Sequence, residues 1–181
     1  MVKIRKDIII GSRRFSNYWW ATIILIGGLG FFLTGISSYL SKQIWPFNNS
    51  LELSFLPQGL VMVFYGTIAI IISIFIWYTI FLNVGGGYNE FDNNTKKITI
   101  FRLGFPGKNR ILKLEYNLDN IQSIKIKIDQ GISQKREIYL KTKDKRQIPL
   151  NKIEQPLSIK EIEQQASSLA KFLNVFLEGI E

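Results

Sequence analysis

The chain has 181 residues and a net charge of +9, and it contains neither cysteine nor histidine. These absences exclude disulfides, thiolate zinc sites, thiol nucleophiles and imidazole acid–base catalysis, so enzymatic function has little support. Two long apolar runs leave roughly 100 residues for a single soluble domain.

Residues 1–17 are predicted to form a basic N-terminal tail. The tail carries five Lys or Arg residues, whereas residues 41–59, which connect the two apolar runs, carry only Lys42. The positive-inside rule therefore places the N-terminus on the side of the membrane where the protein is made. Arg13 and Arg14 in this tail are interpreted as an orientation signal and a contact with anionic lipid, with partner binding as the alternative.

Two uncharged runs of 23 residues, 18–40 and 60–82, are predicted to be transmembrane helices. A helix of that length measures about 34 Å, which is enough to cross a hydrocarbon core of about 30 Å. Two spans return the chain to its starting side. Both termini and a soluble domain over residues 88–181 are therefore expected on one side, and the connection 41–59 on the other.

Each span carries small residues at the spacing i, i+3, i+7, which lets helix backbones approach closely. The two sets are predicted to pack the hairpin against itself, and a surface for another protein's helix is the alternative. Neither span contains an ionisable residue, which argues against transport. The sets are Gly27, Gly30 and Thr34 in the first span and Gly66, Ala69 and Ser73 in the second.

Three consecutive glycines follow the second span, and residues 83–87 are predicted to be a hinge. Alternating apolar residues beyond them predict short antiparallel strands separated by turns, with Pro149 on an edge strand. Ser158 and Glu161 form a capping box that opens an amphipathic helix over about 158–173.

The predicted fold class is an α+β membrane protein: a transmembrane hairpin, an antiparallel β domain and a C-terminal helix. Strands followed by one helix resemble a pleckstrin-homology-like split barrel at the level of fold.

Several short stretches occur in order over nearly the whole chain: Gly11-Ser12-Arg13-Arg14 with Ser16-Asn17-Tyr18 and Trp20; Gly35 with Ser37-Ser38-Tyr39; Pro57-Gln58-Gly59 with Val61-Met62 and Phe64-Tyr65-Gly66; Gly85-Gly86-Gly87-Tyr88-Asn89-Glu90-Phe91; and Ile100-Phe101-Arg102 with Gly104-Phe105-Pro106-Gly107-Lys108-Asn109-Arg110. Together these stretches resemble the two-span photosystem I assembly proteins of plastids and cyanobacteria. The chain departs from the family pattern at Ile111, where a second Arg is usual, and at Gln134, where a Pro-Arg-Arg run usually begins.

The resemblance implies a non-catalytic scaffold in the chloroplast thylakoid membrane that binds newly made photosystem I subunits and other assembly factors. It implies no catalytic residues, cofactor or metal, and it places the soluble domain in the stroma. Thylakoid lipids and a large complex or oligomer are further expected partners. Nucleic acid is not expected, because few aromatic residues accompany the lysines of the predicted sheet. The alternative function is a membrane-anchored module that binds anionic lipid.

The segment 104–110 is interpreted as an exposed basic and aromatic loop that docks a partner, with a plain hairpin turn as the alternative. It lacks the spacing of a phosphate loop. Glu161 is expected to cap its helix, while Glu163 faces solvent and is available to a basic surface on another protein. The predicted partner-binding residues are Arg13, Arg14, Arg102, Phe105, Pro106, Lys108, Arg110, Glu161 and Glu163.

Overall fold

The computed structural model describes residues 4–42, 44, 53–129, 135–150 and 158–180. The chain divides into two compact units. Ile10–Val84 form one unit, hereafter the helical unit, and Met1–Ile9 with Gly85–Glu181 form the other, hereafter the β unit. The helical unit is therefore an insertion in the sequence of the β unit.

Two long helices make up most of the helical unit. Helix α1 spans Phe15–Leu40, and helix α2 spans Leu60–Leu82 after a π-helical turn at Phe55–Gly59. Both are long and apolar enough to cross a membrane. Both helices end at a left-handed residue, Ser41 and Asn83, a common way to stop a helix.

The first sheet of the β unit contains four antiparallel strands in chain order: β1 Ile4–Ile9, β2 Gly87–Asp92, β3 Lys97–Leu103 and β4 Ile111–Asn117. The prediction that residues 1–17 form a tail was therefore wrong for Ile4–Ile9. This segment pairs with β2 in register, from Ile4 opposite Asp92 to Ile9 opposite Gly87. Exposed and partly buried side chains alternate along the strand from Ile4 to Ile8, and Ile9 is buried.

The glycines after α2 are part of the first sheet rather than a free hinge. The Gly85 N–H donates to the Leu103 carbonyl over 2.6 Å, and the Leu103 N–H donates to the Gly86 carbonyl over 2.8 Å. A Cβ at Gly87 would collide with the backbone carbonyl of Phe101. These glycines let β2 approach β3 closely, which corrects the prediction of a hinge over 83–87.

The second sheet has the order β7-β6-β5-β8, so the strands do not form one continuous meander. Its strands are β5 Ile121–Asp129, β6 Lys135–Thr142, β7 Gln147–Pro149 and β8 Phe176–Ile180. Strand β8 is parallel to β5 because helix α3, Ile159–Leu173, carries the chain back across the sheet. Pro149 lies on edge strand β7, as predicted.

Both sheets and α3 share one apolar core. The α+β fold class, with two apolar helices, antiparallel strands and a C-terminal helix, is confirmed, while the likeness to a split barrel stays a prediction. The core side chains are Phe91, Ile98 and Ile100 from the first sheet; Ile121, Ile124, Ile126, Ile138, Leu140, Ile148 and Leu150 from the second sheet and its end; and Ile162, Ala166, Leu169, Ala170 and Leu173 from α3.

Candidate functional site

The residues just before α1 cap the C-terminal end of α2. The Ser12 hydroxyl donates to the Thr79 carbonyl over 2.6 Å. Arg13 donates from Nε to the Ile80 carbonyl over 3.3 Å and from Nη2 to the Phe81 carbonyl over 3.4 Å. These carbonyls lie in the last turn of α2, where a helix lacks its own donors and where a cation is favourable. Arg13 therefore has a structural role that the sequence did not indicate.

The two helices do not pack through the predicted stripe of α1. A Cβ added at Gly27 or Gly30 would meet nothing within 4 Å, so the prediction was wrong for these two residues. Thr34 is buried, but its hydroxyl donates to the carbonyl of Gly30 in its own helix. Gly28 faces α2 instead, because a Cβ there would lie 2.9 Å from Cβ of Ala69. A shift of one residue turns a helix face by about 100°.

The observed seam of the hairpin repeats every seven residues, with Ala21, Gly28 and Gly35 on α1 and Gly66 and Ser73 on α2. A Cβ at Gly66 would lie 2.5 Å from a backbone nitrogen of α1. The buried hydroxyl of Ser73 donates to the Ala21 carbonyl over 2.7 Å. This period is typical of helices that stay in contact along their whole length.

Arg102, predicted to bind a partner, is buried inside the β unit with 6% of its surface exposed. Its Nη2 donates to Asn89 Oδ1 over 2.7 Å and to the Leu150 carbonyl over 3.0 Å. Its Nη1 donates to the carbonyls of Tyr88 (3.1 Å) and Phe101 (2.8 Å). The guanidinium thus joins the first sheet to the end of β7, and it is inaccessible to a partner. The alternation of β3 places residue 102 on the same inward face as Ile98 and Ile100.

The segment 104–110 forms the hairpin loop between β3 and β4. The Gly104 N–H donates to the Arg110 carbonyl over 2.6 Å, and the Arg110 N–H donates to the Gly107 carbonyl over 3.3 Å. Backbone groups therefore close the loop, which leaves its side chains pointing outward. The exposed side chains are Phe105, Pro106, Lys108 and Arg110.

Helix α3 begins with the predicted capping box. Ser158 Oγ accepts from the Glu161 N–H over 3.3 Å, and Glu161 Oε2 accepts from the Ser158 N–H over 2.9 Å. The hydrogen bond from the Ser158 backbone, with a second from its hydroxyl, lowers the pKa of the Glu161 carboxyl. Glu163 is exposed and lies along a shallow surface groove of α3. The groove is lined by Lys160, Glu163, Gln164, Ser167, Ser168 and Lys171.

Two further polar clusters stabilise the second sheet. Glu178 on β8 accepts hydrogen bonds from Lys141 Nζ and from the Ser123 hydroxyl. Both hydrogen bonds lower the pKa of the Glu178 carboxyl, and the one from Lys141 has the larger effect. The Tyr139 hydroxyl donates to the Glu137 carboxylate, which raises the pKa of Tyr139 to about 12. Within the described ranges, no three Asp or Glu side chains are grouped as metal ligands.

Known proteins match this chain along almost its whole length. The Ycf4 family model matches residues 2–171. The chain belongs to the Ycf4 family. A relative in Gracilaria tenuistipitata var. liui is 60% identical over 180 residues, covering 99% of this chain and 98% of that protein. Relatives in Pyropia yezoensis and Rhodomonas salina are 57% and 55% identical, covering 97% and 99% of this chain and 95% and 100% of those proteins. All three are named photosystem I assembly protein Ycf4.

The stretches that carry the Ycf4 resemblance have different roles in the structure. Ser12 and Arg13 cap a helix, Gly35 and Gly66 lie in the hairpin seam, and Arg102 is buried between strands. Resemblance alone therefore does not mark a residue as a partner contact. Of the predicted set, Arg13, the 104–110 loop and the outer face of α3 stay accessible, although Arg13 also caps α2. Arg14, directly before α1, is half-buried.

Proposed function

We propose that this Ycf4-family chain is a non-catalytic assembly factor for photosystem I in the thylakoid membrane. The observation that carries the proposal is the 60% identity over 99% of the chain to a relative named for photosystem I assembly. Similarity at that level along the whole chain supports a shared fold. The proposed role is to hold newly made photosystem I subunits, together with other assembly factors, until they join the complex.

The two apolar helices are proposed to span the membrane, with both termini and the β unit in the stroma. The charge difference supports this topology, because residues 1–17 carry five cations and residues 41–59 carry one. Protease added to right-side-out thylakoids is expected to degrade the β unit. Protection of the β unit would contradict the topology.

The protein-binding surface is proposed to be the outer face of α3. This face is exposed, and its apolar opposite face, from Ile162 to Leu173, is fixed in the core. Glu163 and Gln164 offer hydrogen-bonding groups on a rigid helix, which costs little entropy when a partner binds. Glu163 is the acceptor available to a basic surface on a photosystem I subunit.

Affinity isolation of the tagged full-length chain from mildly solubilised thylakoids tests this function. Photosystem I subunits are expected among the proteins that co-purify, and their amount is expected to fall when Glu163→Lys replaces the carboxylate of the groove with a third cation beside Lys160 and Lys171. Asp144→Lys is the matched control, because Asp144 is an exposed acid in the β6–β7 turn and undergoes the same change of charge. Recovery of the intact chain without photosystem I subunits would contradict the proposed function.

A further inference from the structure

The 104–110 loop lies at one particular end of the first sheet, the end at which the chain leaves for the helical unit and returns from it. The last pair of β1 and β2 is Ile9 with Gly87, and the last pair of β3 and β4 is Leu103 with Ile111. The Gly85 N–H donates to the Leu103 carbonyl, one residue before the loop begins. The loop and the entry from α2 are therefore direct neighbours in the β unit.

Chain length keeps this end of the sheet near the membrane if α2 spans it. Helix α2 ends at Leu82, three residues before Gly85. Three residues of fully extended chain reach at most about 11 Å. Gly85 is in turn hydrogen-bonded to Leu103, next to the start of the loop. The loop therefore begins within about 11 Å plus one hydrogen-bond length of the end of α2, whatever the orientation of the β unit.

The loop has the chemistry of a lipid headgroup contact. Phe105 and Ile111 are 51% and 61% exposed, so two large apolar side chains face outward at this end of the sheet. Lys108 and Arg110 are exposed beside them, and among the described residues neither forms an ion pair with a carboxylate. Apolar rings at the level of the headgroups and cations beside anionic phosphates are both favourable at a membrane surface.

The opposite end of the same sheet is closed by a polar turn, although Ile4 is 49% exposed there and Lys97 is exposed. The β2–β3 turn consists of Asp92, Asn93, Asn94, Thr95 and Lys96, which are all polar. Lys96 there forms an ion pair with Asp119 over 3.3 Å. The β3–β4 loop at the tethered end therefore differs from the described β2–β3 turn, because it combines exposed apolar side chains with two cations that form no ion pair among the described residues.

We infer that the 104–110 loop, together with Ile111, is a docking surface for the anionic headgroups of the bilayer that α1 and α2 span. Phe105 and Ile111 enter the headgroup layer, and Lys108 and Arg110 contact the phosphates. This contact restricts the orientation of the β unit at the membrane and leaves the outer face of α3 for protein partners. The inference rests on the membrane spans and does not depend on the photosystem I assembly role.

Depth-sensitive fluorescence in lipid nanodiscs tests the contact. The full chain contains no cysteine, so Gly107→Cys supplies a single labelling site in the loop, at a residue with nothing within 4 Å of an added Cβ. Asn94→Cys supplies the matched site in the opposite turn. The discs contain phosphatidylcholine alone or mixed with phosphatidylglycerol, with a nitroxide quencher on the headgroup. The label at residue 107 is expected to be quenched, most strongly with phosphatidylglycerol, and the label at residue 94 is not.

Charge variants make the test specific for the two cations. The preference for anionic lipid is the ratio of the loop's binding constants in the two kinds of disc, obtained from the quenching of the label at residue 107. Lys108→Gln with Arg110→Gln is expected to reduce this preference by about 5-fold for each cation, roughly 30-fold in total. Lys96→Gln with Lys97→Gln removes the same charge at the other end of the sheet and is expected to leave the preference unchanged. High salt should weaken the preference of the parent chain.

Three results would overturn the inference. One is a label at residue 107 that stays as unquenched as the label at residue 94 in phosphatidylglycerol discs. Another is an equal effect of the two charge variants. The third is shielding of residue 107 that appears only when purified photosystem I subunits are added, which would identify the loop as a protein contact.

Discussion

Two arginines close together in the sequence have opposite environments in the structure. Arg102 is buried and donates to Asn89 and Leu150, whereas the side chain of Arg110 is exposed at the loop. Arg102→Ala would leave buried acceptors without donors, so we expect it to lower the free energy of unfolding by about 3 kcal/mol. Arg110→Ala should change it by less than about 0.5 kcal/mol. Thermal melting of the full chain in detergent compares them, and equal melting temperatures would contradict the buried network.

Ser158 and Glu161 at the start of α3 allow a test of stability against pH. We expect Ser158→Ala to cost about 1 kcal/mol of stability at neutral pH through loss of the cap. The folded state lowers the pKa of Glu161 through the hydrogen bonds from Ser158, so the ionised form stabilises the fold. That contribution is complete above the carboxyl's unfolded pKa of about 4.3 and is lost as the pH falls through the lower, folded value.

The difference in melting temperature between the parent chain and Glu161→Gln should therefore shrink in acid, because the largest contribution comes from the Ser158 backbone N–H and requires the ionised carboxylate. Glu163→Gln is the control, because Glu163 is exposed and takes no part in the capping box. A difference that is constant down to strong acid would show that Glu161 does not act as a charged cap.

At the level of elements, the helix seam can be tested by comparing a glycine inside it, Gly66, with a glycine outside it, Gly30. Gly66→Ala would place a methyl group 2.5 Å from the Phe32 nitrogen, so the helices must separate. Gly30→Ala meets nothing within 4 Å and raises intrinsic helix propensity. We expect Gly66→Ala to reduce the amount of protein in the membrane and Gly30→Ala to leave it unchanged. Quantitative immunoblotting of thylakoids measures both, and equal accumulation would mean that the seam does not stabilise the hairpin.

Two neighbouring residues of β1 allow a similar comparison. Substituting them tests whether the N-terminal segment has a structural role that is independent of its charge. Neighbouring Ile8 and Ile9 lie on opposite faces of the strand, 76% and 7% exposed. Ile9→Ala should destabilise the β unit by about 2–4 kcal/mol, and Ile8→Ala by no more than about 1 kcal/mol. Both variants retain every charge, so membrane orientation is unaffected. Equal melting temperatures would contradict the placement of β1 in the β unit.

These elements also show how far the sequence alone could predict the structure. Helix α2, the capping box and the apolar faces of β3 to β7 were predictable because each depends on a local period. Strand β1 was not, because its partner β2 is separated from it by the whole helical unit, and its cations suggested an orientation signal. The seam was misplaced because small residues occur at both Gly27 and Gly28, and only the packing decides which faces α2. Arg102 was misjudged because a buried arginine depends on carbonyls that are distant in sequence.

For the whole molecule, the proposed combination of anchoring and capture of partners depends on how the two units are connected. The β unit is formed from segments on both sides of the helical insertion, so two chain connections join it to the two long helices. Two connections restrict the orientations of a domain more than one flexible linker would.

The photosystem I content of thylakoids from which this chain has been deleted tests the central claim most directly. Photosystem I reaction centres are counted by their light-induced absorbance change, and photosystem II in the same membranes is the internal control. Selective loss of photosystem I, restored by the intact chain and not by a chain that lacks the β unit, is the result we predict. Unchanged photosystem I, or an equal fall in both photosystems, would contradict a specific role in photosystem I assembly.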